Sequence, residues 1–141
     1  MTAARSTPLG LPVAVAPVLD ALCLAVFVAA GRQSHDLQGG ASWFFIVVWP
    51  LLVGWFLTAA AARLYARRDQ MWLRLGATLV IGIAIALLLR AAVTHRDTPV
   101  AFVVVAYLFI TALTAGWRLV VLGVLAARRR GGRSPGAPAS P

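Results

Sequence analysis

The stretch ASWFFIVVWPLLVGWFLTAAAA, residues 41–62, carries no charged side chain. A helix needs roughly 20 consecutive apolar residues to cross the hydrocarbon of a bilayer, so this run reads as one complete membrane span. Three more runs of the same character lie on either side of it, at about 11–30, 73–93 and 100–126. Together they use most of the chain and leave no room for a separate soluble domain. The expected fold is an all-α membrane protein, a four-transmembrane-helix bundle over residues 11–127. Residues 1–10 and 128–141 flank it, the first a short polar arm and the second a basic tail rich in Arg, Gly, Ser, Pro and Ala. Neither flank has the apolar content to bury a core, so both are expected to be disordered.

The composition agrees with this reading. Of the 141 residues 61% are hydrophobic and 12% charged, where an ordinary soluble domain carries about 25% charged residues. The net charge of +9 comes from arginine alone, without lysine, and no glutamate is present. In a soluble chain such a balance points to nucleic acid. Here the arginines stand at the ends of apolar runs, where they anchor helices and meet anionic lipid headgroups. The expected partner is therefore the lipid bilayer and not nucleic acid.

The arginines also orient the chain. Arg5, Arg63, Arg67, Arg68, Arg74, Arg128, Arg129, Arg130 and Arg133 make nine on one side; Arg32, Arg90 and Arg96 make three on the other. The excess marks the cytoplasmic face, so both termini are expected inside the plasma (inner) membrane. Trp43 and Trp72 fall at span ends, where aromatic belts form. The start of the chain resembles a signal peptide, with Arg5, an apolar stretch and Val28-Ala29-Ala30 as a cleavage-like site. The length of that stretch and Asp20 inside it favour a retained helix. Cys23, the sole cysteine, excludes an intrachain disulfide and reads as a small apolar filler.

Two charges lie inside spans. Asp20 sits roughly 12 Å in from a boundary at Pro12, and Arg118 roughly 13 Å in from one at Ala127, at 1.5 Å per residue. A lone charge at the centre of a membrane helix costs about 2.5–3.5 kcal/mol on insertion scales. Opposite charges at matching depth are thus expected to face each other across the first and fourth helices. Such a pair serves either as a structural registry element or as part of a proton or ion relay. A second polar group gathers on the outer side. Arg32, Ser34, His35 and Asp36 follow the first span, and Arg90, His95, Arg96 and Asp97 end the third. Two His and two Asp offer ligands for a metal, or a proton acceptor in His, but the spacing matches no recognised metal motif, and interfacial caps with snorkelling arginines are the preferred reading. No metal and no cofactor are expected.

Pro17 and Pro50 are expected to kink the first and second spans, since proline removes a helical hydrogen bond. Small residues mark expected packing faces: Ala21, Ala25 and Ala29 in the first span, Gly82 and Ala86 with Arg90 in the third, Ala112 and Gly116 in the fourth. The pairs Gly54-Trp55 and Gly116-Trp117, each in the second helix of its half, leave room for an ancient duplication. No nucleophile motif, phosphate loop, metalloprotease helix or haem signature is present in the sequence.

The string Asp20, Gly31-Arg32-Gln33-Ser34-His35, Trp49-Pro50 and Gly54-Trp55 resembles a family of small four-span membrane proteins, common in actinobacteria and classed as a domain of unknown function (family 3054). Arg90, Phe102 and Trp117-Arg118 fit the same pattern. The resemblance covers about residues 13–125 and implies membrane location and four spans; it implies no activity. The residues themselves point first to a non-enzymatic accessory protein, acting as a helper subunit or a homo-oligomer. A small proton-coupled carrier using Asp20, Arg118 and His35 is the alternative, and an enzyme acting on lipid headgroups at Arg32, His35 and Arg90 is a third.

Overall fold

The computed structural model describes residues 12, 14–33, 41–67, 69–94 and 99–131, apart from the side chains of residues 32, 33, 41–43 and 131. These residues are all-helical, in four helices: α1 (Val15–Gln33), α2 (Ala41–Ala61), α3 (Met71–Thr94) and α4 (Val100–Gly131). Helix α3 contains a π-helical turn at Thr78–Gly82. In α2, α3 and α4 the runs Phe44–Ala61, Met71–Thr94 and Val100–Arg130 are long and apolar enough to cross a membrane. The apolar part of α1, Val15–Gly31, is shorter.

Helix α1 begins at Val15, inside the expected span, and its prolines explain why. The amide of Val15 reaches the Pro12 carbonyl at 3.0 Å, and Pro17 is then the third helical residue. The first amides of a helix have no intrahelical acceptor in any case, so Pro17 removes no bond. The expected kink at Pro17 is replaced by a helix start. Pro50 does lie inside α2, buried, where the Ile46 carbonyl loses its helical donor. At the other end, α4 runs through Arg128, Arg129 and Arg130 to Gly131, past the expected limit of the membrane domain at 127. Three arginines in the last turn complement the negative end of the helix dipole. The rest of the tail and residues 1–10 lie outside the described residues.

The helices close a ring: α1 packs on α2 and α4, α2 on α3, and α3 on α4. The core residues trace one line along each helix. On α1 the line is Ala16, Asp20, Leu24 and Val28; on α4 it is Ala106, Ile110, Thr114 and Arg118. Both advance by four residues, the spacing that stacks side chains on one helical face. On α1 and α4 these lines, and not the expected small-residue stripes, are the packing faces. Ala21 and Ala25 are half-buried, while Ala29 and Ala112 are exposed. A charge must leave lipid before an alanine needs to, so Asp20 and Arg118 set the rotation of their helices.

The α2–α3 contact does follow the small residues. A Cβ placed on Gly54 would lie 2.5 Å from the Gly82 carbonyl oxygen and 2.9 Å from the Ala86 Cβ. The backbones therefore meet at a distance only glycine permits. The crossing falls at the end of the π turn, where the Tyr107 hydroxyl of α4 donates to the Val80 carbonyl at 2.8 Å. Gly54→Ala is expected to lower stability by about 1–3 kcal/mol through overpacking, seen as an earlier thermal transition of the detergent-solubilised chain. Gly116→Ala, whose Cβ meets nothing within 4 Å, should stay within about 0.5 kcal/mol of the parent.

Candidate functional site

The site is assembled by three segments: the faces of α1 and α4 just described, and the turn between α2 and α3. At the end of α2 the amide of Leu64 reaches the Ala59 carbonyl at 2.9 Å, and that of Arg63 reaches Ala60 at 3.0 Å. This is the paired closure of a Schellman motif, with Arg63 at φ 53° in the left-handed position that glycine usually fills. Leu64 is buried by the reversal together with Ala59. Arg74 then clamps the turn from α3. Its Nη1 donates to the Ala62 carbonyl at 2.5 Å, its Nε to the Asp69 carbonyl at 3.0 Å, and its Nη2 pairs with the Asp69 carboxylate at 3.2 Å. One arginine of the basic connection is thus a structural staple as well as a charge. The clamped turn directs Tyr65 back into the ring of helices.

There Tyr65 meets Asp20. The Asp20 Oδ1 accepts from Arg118 Nη1 at 2.8 Å and from Trp117 Nε1 at 2.9 Å. Its Oδ2 accepts from Arg118 Nη2 at 2.7 Å and from the Tyr65 hydroxyl at 2.7 Å. Trp55 Nε1 donates in turn to the Tyr65 oxygen at 3.0 Å. A carboxylate has about four acceptor sites, and here four donors fill them. Arg118 grips both oxygens in the parallel fork that suits a guanidinium to a carboxylate. Its Nη1 also donates to the Thr114 carbonyl at 2.8 Å, and its guanidinium carbon stands 4.4 Å from the centroid of the Trp117 ring.

Asp20 has 0% and Arg118 2% of its surface exposed. Among the described residues no buried side-chain nitrogen or oxygen lacks a partner. Burial, and after it the Asp20 carboxylate, pushes the Tyr65 phenol above its ordinary range. It therefore stays protonated and remains a donor. What the arrangement can do is hold a carboxylate and its guanidinium partner in a buried interior, with all four acceptor sites of the carboxylate used.

The structure brings Asp20 and Arg118 together and leaves Arg90 well away from them, half-buried near the opposite end of α3, with its guanidinium 4.3 Å from the Phe102 ring centroid. Ser34, His35, Asp36, His95, Arg96 and Asp97 lie outside the described residues, as does the side chain of Arg32. Four partners were not singled out from the sequence for this site: Tyr65, Trp55, Trp117 and Thr114. One signal pointed to them. Arg118 can meet only part of the acceptor capacity of a buried carboxylate, so further donors had to arrive from elsewhere. Nothing in the spacing showed which turn would supply them. Both Gly-Trp pairs end in this one network, although Gly54 is tightly packed and Gly116 is open.

Fold and site define a helical membrane protein organised around a buried ion pair whose carboxylate accepts four hydrogen bonds. The chain belongs to the family described as Protein of unknown function (DUF3054), whose model matches residues 17–121. The match spans α1 to the end of the shared network on α4 and assigns no activity. Comparison with curated proteins and with solved structures gives no significant match.

Arg118→Ala should cost about 3–5 kcal/mol, because it strands a buried carboxylate. The double replacement Asp20→Leu with Arg118→Met should cost less, since it leaves no orphaned charge. Thermal unfolding of both variants in detergent compares them directly; a double variant less stable than the single one would rule out the pair as the source of the loss.

Proposed function

We propose that this is a non-enzymatic integral membrane protein, acting as an accessory subunit or as a homo-oligomer, in which the Asp20 network is a structural clasp. The observation that carries this reading is the saturation of Asp20. Four protein donors occupy its oxygens and none of its surface is exposed. A relay group needs a free valence and a path for its ion, and a carboxylate in this state offers neither. The clasp instead fixes the register of α1 against α4 and ties the α2–α3 turn to both. A buried polar group that specifies one arrangement among many is a recognised use of such pairs. The surface outside the ring is apolar, with Phe45, Leu73, Leu88, Val100 and Leu108 all exposed, and suits lipid or a neighbouring membrane helix.

In this reading all four helices cross the plasma membrane, α1 as the shortest, with both termini in the cytoplasm. Arginine placement supports the orientation: Arg63, Arg67 and Arg74 flank the α2–α3 turn, and Arg128, Arg129 and Arg130 close α4. The partners are anionic headgroups on that side, and a second copy or another membrane protein laterally.

Reconstitution into proteoliposomes tests the clasp. Wild type and the Asp20→Leu, Arg118→Met double variant should show the same passive permeability to protons under an imposed pH gradient. A wild-type flux that disappears in the double variant would establish a carrier and end the accessory reading. The topology has its own test. With Cys23→Ser as background, a single cysteine added after Pro141 should react with a membrane-impermeant maleimide only once the cells are opened. Labelling of intact cells would reverse the orientation.

A further inference from the structure

Arg90 is a charge the clasp does not use. It lies four residues before the end of α3, a rise of about 6 Å, at the end of the molecule opposite the Asp20 network. Its guanidinium stands over the ring of Phe102, the third residue of α4. Phe102 in turn packs on Phe27 of α1, with centroids 6.0 Å apart. Helices α3 and α4 therefore meet at this cation, and α1 reaches it through the Phe102 ring. Among the described residues its guanidinium has the Phe102 ring beside it and no hydrogen bond or ion pair, in contrast to Arg74 and Arg118.

A guanidinium stacked on a ring gives its flat face to the aromatic and keeps its in-plane N–H groups for another partner. Five such donors on a half-buried cation, at the rim of an apolar ring of helices, call for an acceptor. The ring contact does not supply one, because an aromatic face attracts charge but accepts no strong hydrogen bond. The geometry of the donor edge suits two oxygens of one tetrahedral or planar oxyanion, the fork that arginine offers to phosphate. The depth suits it as well: a side chain one turn inside the helix end reaches the headgroup level by extending along the helix.

We propose that Arg90, on its Phe102 platform, binds a phosphate group at the outer end of the molecule, in the first place the phosphodiester of a phospholipid. The site is independent of the clasp reading, since it shares no residue with the Asp20 network. Phe102 fixes the plane of the guanidinium; Arg90 makes the contact. A point cation in place of the fork would keep the attraction and lose the paired geometry, so lysine is a partial substitute.

The test uses the full chain in nanodiscs of phosphatidylethanolamine and phosphatidylglycerol, released into native mass spectrometry with the retained phospholipids counted. Wild type should retain one phospholipid more than Arg90→Gln, with Arg90→Lys and Phe102→Leu in between. All three variants should keep the wild-type circular dichroism. In detergent without lipid, inorganic phosphate at millimolar concentration should raise the thermal midpoint of wild type and not that of Arg90→Gln. Phosphate stabilisation without lipid retention identifies a free anion as the source and supports the same site. Equal lipid retention together with an equal phosphate response in wild type and Arg90→Gln overturns the proposal. So does a double-mutant cycle in which Asp36→Asn or Asp97→Asn removes the whole effect of Arg90→Gln, for the partner is then a carboxylate of this chain.

Discussion

A carboxylate withdrawn from water keeps its appetite for hydrogen bonds, and the rest of this structure is arranged around feeding one. Asp20 collects an arginine and an indole from α4 and a phenol from the α2–α3 turn. A second indole, from α2, supports the phenol. Every helical segment except the body of α3 thus contributes to one group, and α3 enters through Arg74, which holds the turn in place. In hydrocarbon a group left unmet costs several kcal/mol, so the network tolerates no missing member cheaply.

That demand explains features that look unrelated. Asp20 and Arg118 decide which way α1 and α4 face, and the fourfold-spaced lines of Ala16, Leu24 and Val28 and of Ala106, Ile110 and Thr114 follow from them. The arginine at a left-handed backbone position has the same origin. A side-chain-bearing residue there costs about 1–2 kcal/mol, and the turn it permits is the one that buries Leu64 and delivers Tyr65. The aromatic residues are used for their polar handles: Trp55, Trp117, Tyr65 and Tyr107 each donate a hydrogen bond.

The two sides of the ring are held by different physics. Between α1 and α4 the contact is ionic and specific in register. Between α2 and α3 it is steric, a glycine against a glycine and an alanine, where close approach of backbones supplies dispersion and excludes larger side chains. The π turn beside that crossing leaves the Val80 carbonyl turned toward α4, and Tyr107 satisfies it.

The sequence by itself determined the class of the molecule. Apolar runs near the length of a bilayer, with every charge but Asp20 and Arg118 at or near their ends, admit little other than membrane helices, because the cost of burying a charge or exposing twenty apolar residues far exceeds any local preference. It also determined that Asp20 and Arg118 needed company, since the same cost applies to each of them singly. Tertiary structure alone decided who the company would be. Tyr65 sits among arginines in a connection that reads as a solvated loop, and its route to Asp20 depends on a helix reversal at Arg63 and a clamp from Arg74. Those are contacts between residues distant along the chain, which composition and periodicity do not encode. The small residues mark the same boundary: Gly82 and Ala86 lie on a real crossing, whereas Ala112 and Gly116 do not, because any partner helix must first accommodate the buried charges.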